Sequence, residues 1–189
     1  MIEIKKGDII LVHSKDFIGR LIQFGMNVER WRWFSFKPFW KKVCNHAAIC
    51  IDEYPGINDI LIAEAMNNGV IIHLFNQSYG KAEDIEITIY RPPLSKQELS
   101  RLYIEATKYK GVKYQFENFL QYIPKILFGV WLGRTHVDAE EKLYCTEYVA
   151  LVLNKITLGR LFKKYWRTSP VGLQSWCESN CEKIGVIKQ

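Results

Sequence analysis

The sequence lacks the marks of a zinc protein, an exported chain and a membrane-spanning chain. Its five cysteines include no Cys-x-x-Cys pair and its four histidines do not stand at zinc-finger spacing, so neither a metal nor another cofactor is expected. The opening stretch MIEIKKGDIILV has no apolar signal core followed by small residues. The longest apolar stretch, 119–133, is interrupted by a proline and a lysine and is shorter than the ~20 residues that span a bilayer. These absences predict a soluble, cytoplasmic protein with reduced cysteines.

The composition is that of a globular domain with an excess of positive charge. Hydrophobic residues make up 48% and charged residues 24% of the 189 residues, which is enough chain to bury a full core in one domain, 1–189. The net charge of +6 favours an anionic partner, but no RNA- or DNA-binding motif accompanies it, so a nucleic acid is not expected. The segment 28–42 is dense in aromatic and basic residues. Two interpretations stay open for it: a loop folded onto the core, or a peripheral contact with a membrane surface.

Hydrophobic patterning predicts an α+β fold with strands first and one helix late. Apolar runs between turn signals predict the strands, and apolar residues at helical spacing predict the helices. Ser95 with Glu98 forms a capping-box pattern, and Ser169-Pro170 is typical of a helix start. The predicted strands fall at 7–13, 45–54, 58–66, 69–75 and 85–92; the predicted helices fall at 16–27, 95–111, 145–155 and after 169.

Cys145 stands where a helix is predicted to begin, directly after the polar run DAEEK. At such a position the backbone N–H groups and the positive helix end favour a thiolate and can also hold an oxyanion. The alternative is a buried cysteine of a core helix, because free cysteine often packs as a small apolar residue. Cys177 and Cys181 are four residues apart, and the spacing leaves open whether they pair.

A cysteine nucleophile needs a base, and His46 is favoured among the four histidines by the geometry of a hairpin. If Tyr54-Pro55-Gly56 closes an antiparallel hairpin centred on Pro55, then His46 lies directly opposite Glu64, with both side chains on one face. A carboxylate beside an imidazole fixes its tautomer and supports the imidazolium. Glu64 lies in an apolar strand where an unpaired carboxylate would be costly, so it needs such a partner.

The order of the motifs GDIILV, NHAAICI, AEAMNNGV, GVKYQF, LYCTEYVALVLN and TSPVGL resembles the permuted branch of the NlpC-type papain-like superfamily, the YiiX/YebB-like group. In that branch the histidine strand precedes the cysteine helix, as it does here between residues 7 and 173. The resemblance implies a circularly permuted papain-like fold with Cys145 as nucleophile, His46 as base and Glu64 as the third member. It also suggests that Tyr114 lines the pocket or assists the oxyanion, and Tyr144, next to the cysteine, is a second candidate for that role.

The resemblance implies an enzyme whose substrate the sequence does not identify. The expected activity is cysteine-dependent hydrolysis of an amide or ester through a thioester, with a small-molecule, lipid-linked or peptide amide as substrate. An acyltransferase of the same fold and a papain-like shell that binds a lipid or peptide without turnover are the alternatives. The segments 28–42 and 119–142 exceed what a minimal domain needs, and we expect them to be substrate-side loops or insertions.

Overall fold

The computed structural model describes residues 2–14, 43–54, 56, 59–114 and 142–188. The predicted helix at 16–27, the aromatic and basic segment 28–42 and the insertion 119–142, apart from its last residue, lie outside these ranges. No helix within the described ranges is long and apolar enough to cross a membrane.

The strands within the described ranges are β1 Ile9–Ser14, β2 His46–Tyr54, β3 Asp59–Met66, β4 Gly69–Leu74, β5 Ile85–Arg91, β6 Lys113–Tyr114, β7 Lys142–Leu143 and β8 Glu182–Lys188. The helices are α1 Phe75–Tyr79, α2 Lys96–Thr107, α3 Cys145–Ile156 and α4 Pro170–Asn180. Six of these strands form an antiparallel sheet in the order β4-β3-β2-β1-β5-β8, and β6 and β7 form a separate short parallel pair. Helix α1 follows β4 directly, and a single residue, Tyr144, separates β7 from α3.

The predicted starts of α2 and α4 are confirmed. The Ser95 side chain accepts a hydrogen bond from the Glu98 backbone N–H and the Glu98 side chain accepts one from the Ser95 N–H, so the capping box is present. Ser169 caps α4 in the same way by accepting from the N–H of Gly172. The predicted end of α2 at Gly111 is wrong, because the helix ends at Thr107 and a turn follows. Neither α1 nor β8 was predicted; α1 is only five residues long and β8 is largely half-exposed.

The sheet separates two hydrophobic clusters. Because side chains alternate along a strand, Ile9 and Leu11 of β1 join the cluster that contains α3, while Ile10 and Val12 join the cluster that contains α1. Helix α3 is buried along most of its length, from Cys145 to Ile156. The start of α3 is therefore set against one face of the sheet, and α1 covers part of the other.

The predicted register of the β2–β3 hairpin is wrong by two residues. Glu64 lies opposite Ala48 rather than opposite His46. Near the turn Tyr54 pairs with Asp59, and an irregularity between Cys50 and Asp52 then shifts the ladder by one residue. Such a bulge turns every following side chain of that strand to the other face. Without the bulge Glu64 would lie opposite Ile49. The side chain of His46 would then point to the other face of the sheet, away from Glu64.

The β3–β4 hairpin depends on a glycine. Gly69 has a φ of +100°, and a Cβ there would lie 2.6 Å from the backbone oxygen of Val112. We expect Gly69→Ala to lower the free energy of unfolding by about 2 kcal/mol or more, because it combines a strained backbone with a steric clash. Gly111→Ala is the matched control: Gly111 also has a positive φ, +82°, but nothing within 4 Å of the added Cβ, so the expected loss is about 1 kcal/mol. Urea unfolding measures both, and equal losses would contradict the role of the clash.

Candidate active site

Cys145 is the first residue of α3, and its side chain is buried, with 3% exposed. Tyr144 is the N-cap residue and supplies no side-chain hydrogen bond to the helix end. The first bond within the helix runs from the N–H of Tyr148 to the carbonyl of Tyr144. The N–H groups of the first turn are therefore not used by the helix itself, and the positive helix end lies at Cys145.

His46 is the first residue of β2, so its ring lies at the end of the sheet, where it meets groups on both sides. Its Nε2 lies 2.5 Å from Oε2 of Glu64. The same ring interacts electrostatically with the side chain of Cys145. Since Nε2 is engaged by the carboxylate, Nδ1 is the nitrogen that remains for the sulfur. The predicted association of His46 with Glu64 is thus present, although the two residues are diagonal neighbours and not directly opposed.

Glu64 is fully buried and its carboxylate is surrounded by donors. Besides His46, the Nε2 of His73 lies 2.6 Å from Oε1, and the hydroxyl of Tyr79 donates to Oε2 at 2.6 Å. Ser78 lies behind His73, with its hydroxyl 2.9 Å from Nδ1 of that ring. Sequence reasoning missed this second histidine. The Asn67-Asn68-Gly69 turn could have revealed it, because a two-residue hairpin turn there makes His73 a diagonal neighbour of Glu64.

Burial and pairing shift the pKa values of this group in opposite directions. Burial lowers the pKa of His46, but the charge on Cys145 and the hydrogen bonds to Cys145 and Glu64 outweigh it and raise that pKa to about 10. Burial raises the pKa of Glu64, but hydrogen bonds from His46, His73 and Tyr79 outweigh it and hold that pKa well below its usual range. The arrangement favours an imidazolium at His46 beside an ionised carboxylate.

Tyr114 reaches Cys145 because of the short β6–β7 pair. Tyr114 lies opposite Leu143, two residues before the cysteine, and its hydroxyl interacts electrostatically with the Cys145 side chain. Burial, and next to it the charge on Cys145, raise the pKa of Tyr114, so the phenol stays protonated and remains a donor.

A cavity of about 310 Å³ opens beside His46 and Tyr114. Among the described residues its other walls are formed by Ala65, Met66, Asn67, Asn68 and Ile71. Tyr144 is buried next to Cys145 but is not among the described residues that line this cavity. The structure thus brings Tyr114 to the cavity and leaves Tyr144 at the helix start.

The segment 168–174, which runs into α4, holds the two halves of the site together. The hydroxyl of Thr146, next to Cys145, donates to the carbonyl of Thr168 at 2.7 Å. The backbone N–H of Cys44, two residues before His46, donates to the side-chain oxygen of Gln174 at 2.8 Å. One segment therefore bonds to the residue after Cys145 and to the residue two positions before His46, which fixes the separation of Cys145 and His46.

Asn45 fixes the entry to the histidine strand. Its side-chain oxygen accepts from the backbone N–H of Ser14 at 3.1 Å, and its amide donates to the carbonyl and hydroxyl oxygens of the same residue. The Asn-His motif thus joins the end of β1 to the first residue of β2.

All five cysteines are free thiols, including Cys177 and Cys181. Burial raises the pKa of the thiols of Cys44, Cys50 and Cys177. Those three are therefore held as neutral thiols in the core.

A helix that starts with a cysteine, packed on an antiparallel sheet whose neighbouring strand begins with a histidine, is the papain-like arrangement, here with the histidine strand first. A family model described as "Permuted papain-like amidase enzyme, YaeF/YiiX, C92 family" matches residues 3–180. The chain belongs to this family, and the permuted papain-like fold predicted from its motifs is confirmed. Membership of this family makes the protein an amidase-type hydrolase.

A solved structure supports the same fold. The chain is similar to the crystal structure of the metalloprotein yiiX from Escherichia coli O157:H7, with 18% sequence identity, a TM-score of 0.55 and coverage of 92% of this chain and 81% of that one. In the ranges that the structure describes here, no group of three or more His, Cys, Asp or Glu side chains is arranged to hold a metal ion. No curated protein matches the sequence.

The buried carboxylate generates a prediction about stability. Glu64→Ala leaves the donors of His46, His73 and Tyr79 without their acceptor, so we expect the free energy of unfolding near neutral pH to fall by about 3 kcal/mol or more. Glu105→Ala removes a carboxylate from the surface pair with Lys108 and is expected to cost about 0.5 kcal/mol or less. Urea unfolding of the three proteins checks this, and equal losses in the two variants would contradict it.

The same carboxylate makes the free energy of unfolding depend on pH. An unfolded glutamate titrates at about 4.3, whereas the pKa of folded Glu64 lies lower, so its stabilisation is present above about pH 4.3 and is lost as the pH falls toward the folded value. Below about pH 5, the difference in stability between wild type and Glu64→Ala should therefore shrink, by up to about 1.4 kcal/mol per pH unit. A difference that stays constant down to about pH 3 would mean that folding does not lower the pKa of Glu64.

Proposed function

We propose that this protein is a cysteine-dependent amide hydrolase with Cys145 as nucleophile, His46 as general base and acid, and Glu64 as the group that orients the imidazole. The observation that carries the proposal is the placement of one histidine ring between the Cys145 side chain and a fully buried, multiply hydrogen-bonded carboxylate. A structural histidine at a strand end would have no need of both partners. Membership of an amidase family supports the same class of reaction.

The reaction follows from which atoms face each other. The Cys145 sulfur attacks the amide carbonyl carbon while the imidazolium of His46 holds the thiol proton. That proton passes to the nitrogen of the leaving amine as the carbon–nitrogen bond breaks, and a thioester remains on Cys145. A water then gives a proton to His46 and its oxygen to the acyl carbon, which releases a carboxylic acid and restores the thiol. Glu64 keeps its charge throughout and stabilises the imidazolium.

Two donors are available for the oxyanion of the tetrahedral intermediate. The backbone N–H groups at the start of α3, which the helix itself does not use, are the first set, and the Tyr114 hydroxyl, which interacts with the Cys145 side chain, is the second. We assign the cavity beside His46 and Tyr114 to the substrate. Its apolar walls and two asparagine side chains fit an uncharged amide attached to an apolar or peptide group, which is consistent with a lipid-linked or peptide amide.

Selective alkylation tests the nucleophile. At about pH 6, brief treatment with iodoacetamide should modify Cys145 at least about tenfold faster than Cys181, a partly exposed thiol outside the site, because only a thiolate reacts and the His46 imidazolium favours it. Peptide mapping by mass spectrometry measures both rates in one sample. His46→Ala should remove the advantage while the far-UV circular dichroism stays unchanged. Even labelling of the two cysteines, or labelling indifferent to His46, would contradict the proposed pair.

Trapping of the acyl-enzyme tests the chemistry and separates the remaining alternatives. Incubation with panels of fatty-acyl and peptidyl p-nitrophenyl esters and amides should add the acyl mass to Cys145, and neutral hydroxylamine should remove it, because the bond is a thioester. Cys145→Ser keeps the size of the side chain and should show no hydroxylamine-labile adduct. Transfer to an added amine or alcohol in preference to water would make the protein an acyltransferase. Saturable binding of a lipid or peptide, with no acyl adduct from any donor, would make the protein a papain-like shell that binds without turnover.

A further inference from the structure

Glu64 holds more donors than a catalytic triad requires. Its Oε2 is bonded to His46 and to the Tyr79 hydroxyl, and its Oε1 is bonded to a second histidine, His73, at 2.6 Å. His73 lies on β4, on the side of Glu64 away from His46, two residues beyond the direct partner Ile71. Its side chain is largely buried, with 12% exposed, and it is not among the described residues that line the cavity.

The hydrogen bonds define which nitrogen of His73 carries the proton. Ionised Glu64 accepts hydrogen bonds and donates none, so Nε2 of His73 must be the donor. The Nδ1 of the same ring lies 2.9 Å from the hydroxyl of Ser78, which has a proton to donate. Ser78 lies on α1 next to Tyr79, so one short helix supplies both the residue that orients His73 and a second donor to the carboxylate.

We propose that His73, oriented by Ser78, is a positioning residue that holds the Glu64 carboxylate ionised and rotated so that Oε2 faces His46. The proposal rests on the proposed function, because it assigns His73 a role through Glu64 and His46 and no contact with substrate. Loss of His73 leaves Oε1 as a buried acceptor without a donor. The carboxylate then turns to find another donor or takes up a proton. In either case it holds Nε2 of His46 less firmly, and Nδ1 is no longer fixed toward the Cys145 sulfur.

The test is the rate of Cys145 alkylation at about pH 6 in three variants with matched chemistry. His73→Leu removes the donor and keeps an apolar side chain in the core; we expect the rate to fall about tenfold, the size found when an outer hydrogen-bond partner is lost. His73→Gln places an amide N–H near the position of Nε2 and should restore most of the wild-type rate. Tyr79→Phe removes a donor from Oε2, which His46 still contacts, so its loss should be smaller, about threefold or less.

A double-mutant cycle separates positioning from general stabilisation. If His73 acts through Glu64, then His73→Leu added to Glu64→Gln should lower the alkylation rate by less than about twofold beyond Glu64→Gln alone, because the group it positions is already changed. A purely structural role predicts that the two losses multiply. Thermal melts of each variant show whether the protein remains folded at the labelling temperature.

The outcomes distinguish the two proposals. Wild-type labelling in folded His73→Leu, multiplying losses in the cycle, or failure of His73→Gln to restore the rate would each overturn the role of His73 and leave the Cys145–His46 pair intact. Even labelling of Cys145 and Cys181 in the wild type would instead refute the proposed function itself. If His73→Leu does not fold, Ser78→Ala is used instead, because it removes the hydrogen bond that orients the His73 ring and leaves the His73 side chain in the core. It should slow labelling about threefold, and a wild-type rate would overturn the proposal.

Discussion

The buried carboxylate of Glu64 is the constraint on which the candidate site depends. A fully buried ionised carboxylate would be very costly unless donors surround it, so the fold must bring several polar side chains to one point in an apolar layer. Those donors come from β2, β4 and α1, which are separate elements. Their common acceptor thus links the register of two hairpins and the placement of a short helix to the orientation of one imidazole ring.

The register of the β2–β3 hairpin decides whether the side chains of His46 and Glu64 lie on the same face of the sheet, which the site requires. The turn pairs Tyr54 with Asp59, and in an uninterrupted ladder this register would put His46 and Glu64 on opposite faces of the sheet. The bulge between Cys50 and Asp52 supplies the one-residue shift that returns them to the same face. A local irregularity in the backbone, several residues from the chemistry, is therefore a condition for the histidine–carboxylate pair.

The sequence predicted the elements with strong local signals and missed those defined by tertiary packing. Cys145 at a helix start follows from a polar run before an apolar helix, and the pairing of His46 with Glu64 follows from an apolar strand that contains a carboxylate. The predicted register was wrong because no sequence signal marks the bulge. The error was an even number of residues, two, so the predicted register still put His46 and Glu64 on the same face of the sheet. His73 was missed because each histidine was weighed singly against the cysteine, whereas its partner is the carboxylate.

The permuted order has a consequence for how the site is assembled. The histidine strand lies early in the chain and the cysteine helix late, so no local segment contains both. Their separation is instead fixed by the segment 168–174, which runs into α4: the Thr168 carbonyl accepts from the Thr146 hydroxyl, and the Gln174 side chain accepts from the backbone N–H of Cys44. This segment follows both functional residues in the sequence. These two hydrogen bonds make residues 168–174 part of the catalytic scaffold, although that stretch carries none of the reacting groups.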